Sequence, residues 1–188
     1  MRSRSKIRAL VLTGGGARAA YQAGVLKALA ELLEEAGYRE PPFQIFTGES
    51  AGAINASLLA SHSEDFRKGT DELWRCWSEI EMDDIFATNP LSLLGNAGRW
   101  VGELGLGGLI PARNRAAFLL DTSPLERYLA PKISFPKIRE LVRSGQLLGI
   151  GISATNYATG SSVTFFDGAA SLGTWARSHR LGVKTELG

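Results

Sequence analysis

Phe43-Gln44-Ile45-Phe46-Thr47 runs through Gly48-Glu49-Ser50-Ala51-Gly52 into Ala53-Ile54-Asn55-Ala56-Ser57-Leu58-Leu59-Ala60. The reading of this stretch decides the fold. The first run, after Pro41-Pro42, is short and apolar and predicts a strand over Phe43–Thr47, while the last predicts a helix from about Ala51 to Ala60. Between them lies Gly-x-Ser-x-Gly, with glycines at Gly48 and Gly52 around Ser50. A serine on a sharp strand-to-helix turn sits in strained backbone geometry, and side chains two residues to either side would clash. Such a turn projects the hydroxyl out of the sheet and sets a helix N-terminus beneath it, where backbone N–H groups can support a developing anion. Three fixed positions in five recur by chance in many proteins. The strand before the turn and the helix after it give the pattern its meaning.

Working outward, Ile7–Thr13 (IRALVLT) is another short apolar run, read as a buried strand of a parallel sheet. It ends in Gly14-Gly15-Gly16-Ala17-Arg18. A helix follows over Ala19–Glu35, with Val25, Leu26, Leu29, Leu32 and Leu33 at helical spacing and Gly37 as its stop. Strand, helix, strand, helix in this rhythm predicts an α/β fold: a mainly parallel sheet with crossover helices. The glycine loop admits two readings. Its N–H groups could form an oxyanion hole beside Ser50. Alternatively Gly14, Gly16 and Ala19 could be a G-x-G-x-x-G/A dinucleotide loop. The second reading requires an acid about 20 residues on, at the end of the second strand. Glu34, Glu35 and Glu40 lie instead in the helix or the loop after it, and that strand ends at Ser50, so the dinucleotide reading fails.

Further along, Ser63–Ile80 reads as a helix with Phe66, Leu73, Trp74 and Trp77 on one side. Thr88–Pro111 is rich in Gly, Leu and Trp and has broken periodicity. It is read as a loop with short helical turns packed on the core, with a mobile cap or a membrane-facing surface as the alternative. Short helices are expected near Pro124–Leu129 and Pro136–Arg143, and strands at Leu147–Ala154 and Ser162–Phe166 around an Asn156–Gly160 turn. Neither an internal repeat nor a linker composition interrupts the chain. Its 188 residues fit one domain of roughly 100–200 residues.

The balance of 21 basic and 19 acidic residues, net +2, gives no nucleic-acid signal. Arg2, Arg4, Lys6 and Arg8 fit a solvated tail as well as a binding patch. The single cysteine, Cys76, excludes an intrachain disulfide and suits a reducing compartment. The apolar stretch behind those basic residues is only Ala9–Leu12, shorter than the about 7–15 residues of a signal-peptide core. No run approaches the roughly 18 apolar residues of a membrane span. The expectation is a cytoplasmic protein able to touch a membrane surface peripherally.

Leu10–Leu29 (LVLTGGGARAAYQAGVLKAL) and Phe46–Ala60 (FTGESAGAINASLLA) together resemble the patatin-like phospholipase family. Asp121-Thr122-Ser123-Pro124-Leu125, and Ala154-Thr155-Asn156 with Thr159-Gly160, resemble later segments of that family. The resemblance implies a patatin-like, α/β-hydrolase-related three-layer architecture and hydrolysis of lipid or fatty-acyl esters by a Ser–Asp dyad, without metal or cofactor. It implies Ser50 as nucleophile in the turn bounded by Gly48 and Gly52. It also implies Gly14, Gly15 and Gly16 as the lining of the oxyanion hole, with Arg18 holding that loop. The family's aspartate stands in an Asp-Gly-Gly or Asp-Gly-Ala motif well downstream of the Ala-Thr-Asn strand. Asp167-Gly168-Ala169 has the letters but follows Ser162–Phe166 at once, and Asp-Gly suits a hairpin-type turn better. The expectation is therefore one domain over 1–188 lacking its C-terminal part, with the true aspartate beyond Gly188. Two alternatives stay open. One is a silent acyl-binding or regulatory module without a base. The other is a triad esterase in which His179 follows Ser50 and Asp167 in order. His62 lies just past the second helix, and both histidines are read as surface residues.

Overall fold

Each apolar run ahead of a glycine-rich turn becomes a strand, and each run behind it a helix. In chain order these are β1 (Ala9–Leu12), a 3-10 turn (Gly16–Arg18) leading into α1 (Ala19–Glu35), β2 (Ile45–Glu49) and α2 (Ala51–Ser61). Then come α3 (Phe66–Glu79), α4 (Met82–Ile85), α5 (Ser123–Leu129), α6 (Phe135–Ser144), β3 (Gly149–Asn156), β4 (Ser161–Gly168), β5 (Trp175–Arg177) and β6 (Arg180–Lys184). The computed structural model describes residues 7–85, 123–156, 159–168, 175–177 and 180–184. The Thr88–Pro111 stretch lies outside the described residues. So do Asp121, Thr122 and His179.

The chain divides into two units, Met1–Glu79 with Ile133–Gly188, and Ile80–Lys132. In the second, α4 and α5 pack on each other, and the Lys132 ammonium lies 4.4 Å from the centre of the Tyr128 ring. The first unit holds an α/β sheet in the order β1-β2-β3-β4-β6-β5. β1, β2 and β3 are parallel neighbours. β4 runs antiparallel to β3 and parallel to β6, and β5 pairs antiparallel with β6.

The core is built around α2. Its sequence is apolar on every side, the signature of a buried rather than a surface helix, and ten of its eleven residues are buried. It packs on β1, β2 and β3 from one face of the sheet, and α6 packs on both α2 and β4. α1 and α3 pack against α2 and against each other. Phe46, Leu58, Leu59, Leu73, Ile138, Leu141 and Leu147 are fully enclosed, each worth about 1.5–3 kcal/mol in apolar burial. α6 has clear stops. The Ser134 hydroxyl accepts from the Lys137 N–H, and Gly145 closes the helix at φ 76°.

Three expectations need correction. α1 has the expected bounds, but the buried stripe is Ala19, Ala23, Leu26 and Ala30. Val25 and Leu32 are 48% and 63% exposed, because small alanines let the helix approach its neighbours closely while the larger side chains turn away. In α3, Phe66 and Leu73 are buried with Gly69, Thr70 and Cys76, whereas Trp74 faces out with Lys27 over its ring. The strand starting at Ser161 runs on through Asp167 and Gly168, which pair with Ile150 and Gly149 of β3. Asp167-Gly168 is strand, not turn. β5 and β6 were not foreseen from sequence.

An ion-pair cluster joins α1 to α3. Lys27 bonds Asp71 and lies 3.6 Å from Glu31, and Arg67 lies 3.3 Å from Asp71 and 3.4 Å from Glu31. The hydrogen bond from Lys27 holds the Asp71 carboxyl below its ordinary pKa. Partial burial opposes this, and the Arg67 and Lys27 charges add to it. A carboxyl whose folded pKa is depressed stabilises the fold above its unfolded pKa and loses that contribution as pH falls through the folded value. Asp71→Asn is expected to cost up to about 1 kcal/mol at pH 7, as for half-exposed pairs, or about 2–4 °C in Tm. Thermal melts at intervals below about pH 4 should show the difference from wild type shrinking. A gap that widens with acid would contradict this.

Candidate active site

Parallel pairing of β1 with β2 sets Leu12 level with Gly48, so the two glycine turns emerge side by side at the C-terminal edge of the sheet. At the second turn one residue, Ser50, separates β2 from α2. Its backbone sits at φ 53°, ψ −127°, and among the described residues no other non-glycine has a positive φ. Such a conformation costs on the order of 1–3 kcal/mol and persists only where its surroundings enforce it.

The enforcement is visible in the flanking glycines. A Cβ on Gly48 would lie 2.1 Å from the Gly52 carbonyl oxygen. A Cβ on Gly52 would lie 2.3 Å from the Leu12 carbonyl oxygen and 2.6 Å from that of Thr13. The turn is closed by the Ala53 N–H donating to the Ser50 carbonyl at 2.8 Å. The Ser50 N–H donates to the Ser153 carbonyl at 3.4 Å, extending the β2–β3 ladder. The Ser50 side chain caps no helix N–H, and the residue is exposed directly above the positive end of α2.

The first turn lies against the second. A Cβ on Gly14 would stand 3.1 Å from Ser50 Cβ and 3.2 Å from the Glu49 carbonyl oxygen, so the chain there approaches Ser50 closely and a side chain would be tight. Gly15 and Gly16 do not crowd Ser50. Around Gly15 the nearest atom is Arg18 Cβ, at 3.4 Å from where its own Cβ would be, and Gly16 provides the left-handed φ of 55° that starts the 3-10 turn. Arg18 joins the loop through its backbone, its N–H donating to the Gly15 carbonyl at 3.2 Å. Residues 14–18 are all exposed. The result is an accessible hydroxyl flanked by a glycine-lined backbone loop and a helix N-terminus.

Residues 10–180 match the family model of the patatin-like phospholipases. The chain belongs to the patatin-like phospholipase family. Comparison with curated proteins gives no match. Among solved structures, the chain is similar to ExoU, from the type III secretion system of Pseudomonas aeruginosa, crystallised full-length in complex with full-length SpcU. Identity is 22% over 90% of this chain and 36% of that one, with a TM-score of 0.38. This patatin-like chain thus spans about a third of that protein's length.

Other residues singled out in the patatin-like sequence fall as follows. Ser153 lies level with Glu49, so Ala154, Thr155 and Asn156 extend β3 past Ser50 on the same edge. The Asn156 carbonyl closes the turn beyond by accepting from Thr159 and Gly160. Asp167 is elsewhere. It pairs with Ile150, which is level with Phe46, four residues before Ser50 and about 13 Å down the strands. Its Oδ1 accepts the Gly168 N–H at 2.8 Å. His62 caps the far end of α2, about 18 Å along the helix from Ser50. It is half-buried rather than superficial, with Nδ1 3.1 Å from the Leu58 carbonyl oxygen and its Cβ against Gly69. Ser123, Pro124 and Leu125 open α5 in the other unit. Two residues that sequence reading passed over, Gln22 and Asn55, link the glycine loop to α2. The signal for them was an asparagine inside an otherwise apolar helix.

Backbone strain at Ser50 and crowding at Gly52 predict opposite outcomes for two small changes. Ser50→Gly relieves the strain, which outweighs the about 0.5–1 kcal/mol entropic cost of a glycine, so its Tm should equal or exceed that of wild type. Gly52→Ala should destabilise by about 3 kcal/mol through overpacking. Gly24→Ala, in open space on α1, is the neutral-to-stabilising control. A Ser50→Gly melt several degrees below wild type would refute the strain.

Proposed function

We propose that this chain carries the nucleophile-bearing part of a lipid acyl hydrolase, of phospholipase A or esterase type, with Ser50 as the nucleophile. The observation that supports it most is the close approach of Gly14 to Ser50, because it brings the start of the glycine loop beside the residue whose hydroxyl would attack. In this reading Ser50 Oγ adds to the acyl carbonyl carbon and its proton passes to a carboxylate. The carbonyl oxygen becomes an oxyanion facing the N–H groups of Gly14, Gly15 and Gly16 and the first turn of α2, with Arg18 helping to hold the loop. Collapse expels the protonated alcohol of the lipid and leaves an acyl-serine. Water then repeats the steps, releasing the fatty acid and restoring the hydroxyl. No redox change occurs, and neither metal nor cofactor is needed.

The base of the dyad must come within about 2.6–3.2 Å of the serine hydroxyl. Asp167, well down β4, does not meet that requirement, so the proposal assigns the role to another aspartate at the Ser50 edge. In a triad through His179 the aspartate need reach only the imidazole that bonds the serine, but Asp167, about 13 Å down the strands and two strands away, is too far for one imidazole to bridge. The distance of Asp167 also favours one second reading, an acyl-binding module without a base. The proposed setting is the cytoplasm, with peripheral contact at a lipid surface.

A fluorophosphonate probe and p-nitrophenyl butyrate test the assignment. Wild type is expected to label at Ser50, and Ser50→Ala is expected to lose both label and ester turnover. Loss of a serine nucleophile costs on the order of 10⁶ in kcat in a complete serine hydrolase. Ester turnover in Ser50→Ala within tenfold of wild type would sink the nucleophile. A wild-type chain that binds lipid but never labels would favour the silent module.

A further inference from the structure

Asn55 is fully buried in α2, five residues beyond Ser50, and every hydrogen-bonding atom of its amide is used. Its Oδ1 accepts from the Trp77 indole N–H at 2.7 Å. Its Nδ2 donates to the Ala19 carbonyl and to Gln22 Oε1, both at 3.1 Å. Gln22 Nε2 in turn donates to the Thr13 carbonyl at 2.8 Å. Indole N–H can only donate, so Trp77 decides which end of the Asn55 amide is oxygen. That orientation decides which end of Gln22 faces Asn55, and so leaves an NH₂ group pointing at Thr13. The bonds form a directional chain from α3 through α2 and α1 to the residue before the glycine loop.

The Thr13 carbonyl is also one of the two, with that of Leu12, that crowd Gly52, so it is held between Gln22 and α2. In a planar trans peptide the next N–H points opposite to the carbonyl. Fixing the Thr13 carbonyl therefore fixes the Gly14 N–H on the side away from Gln22 and Gly52, in the glycine that touches Ser50. We infer that Gln22, oriented by Asn55 and Trp77, is a positioning residue that sets the direction of the first N–H of the glycine loop. The inference rests on the reading of Ser50 as nucleophile and of the loop as its oxyanion support.

Gln22 is the link to test, because it is only partly buried and its replacement need not disturb the core. Gln22→Glu keeps an acceptor for Asn55 but places a carboxylate against the Thr13 carbonyl, while Gln22→Leu removes both bonds. In the 188-residue chain, both variants should label with a fluorophosphonate at Ser50 at least tenfold more slowly than wild type, since one lost oxyanion donor is typically worth about 10²–10³ in rate. Hydrogen exchange in a peptide covering residues 13–18 should rise while exchange in α2 stays at the wild-type level, and Tm of Gln22→Glu should move by no more than about 2 °C. Gln22→Leu, which leaves a buried Asn55 N–H without its partner, should lose several degrees more. A merely structural role would lower Tm and raise exchange throughout. Labelling of Gln22→Glu at the wild-type rate overturns the inference, as does loop exchange that does not change. If wild type itself fails to label, the nucleophile reading is what has failed, and the exchange measurement alone decides whether Gln22 holds the loop.

Discussion

How near α2 comes to the ends of β1 and β2 governs the rest of the structure. The helix starts so close to the Leu12 and Thr13 carbonyls that Gly52 has no room for a side chain. That proximity gives α2 its burial on all sides and forces the reversal of the chain into a single residue. It holds Ser50 in a backbone conformation that a serine would not choose. The same approach brings Thr13 under the helix and so delivers the glycine loop to the serine.

The two turns are best understood as one object. Parallel pairing puts their strands in register, close packing puts their backbones in contact, and a line of amide hydrogen bonds passes behind them through Asn55 and Gln22. Polar groups buried in this way are favourable only when all of them are satisfied, which Asn55 achieves with three partners. A front made of glycine backbone and a back made of directional amides give the edge a defined shape without bulky side chains.

Sequence was a good guide wherever a local rule dominates. The strand, turn and helix around Ser50 follow from local pattern and from the clash that a side chain on Gly48 would make with Gly52, and the bounds of α1 follow from local pattern too. It was a poor guide where the outcome depends on what packs against what. The buried stripe of α1 is three alanines and Leu26; the alanines' value lies in how closely they let α3 and α2 come, and no periodicity of large residues reveals that. Asp167-Gly168 has the composition of a turn, yet its pairing with Gly149 and Ile150 keeps it in the sheet. β5 and β6 are short and carry charged residues, so their pairing partners define them more than their own pattern does. That Gly14, of three successive glycines, is the one against Ser50 is a fact of three dimensions.

A helix enclosed from every direction also has a history during synthesis. α2 is complete at Ser61, but α6 and β3, which help to cover it, begin only at Phe135 and Gly149. At about 5–20 residues per second on the ribosome, the delay before β3 emerges is on the order of ten seconds. Throughout that interval an apolar segment with no polar face of its own has only β1, α1, β2 and α3 for company.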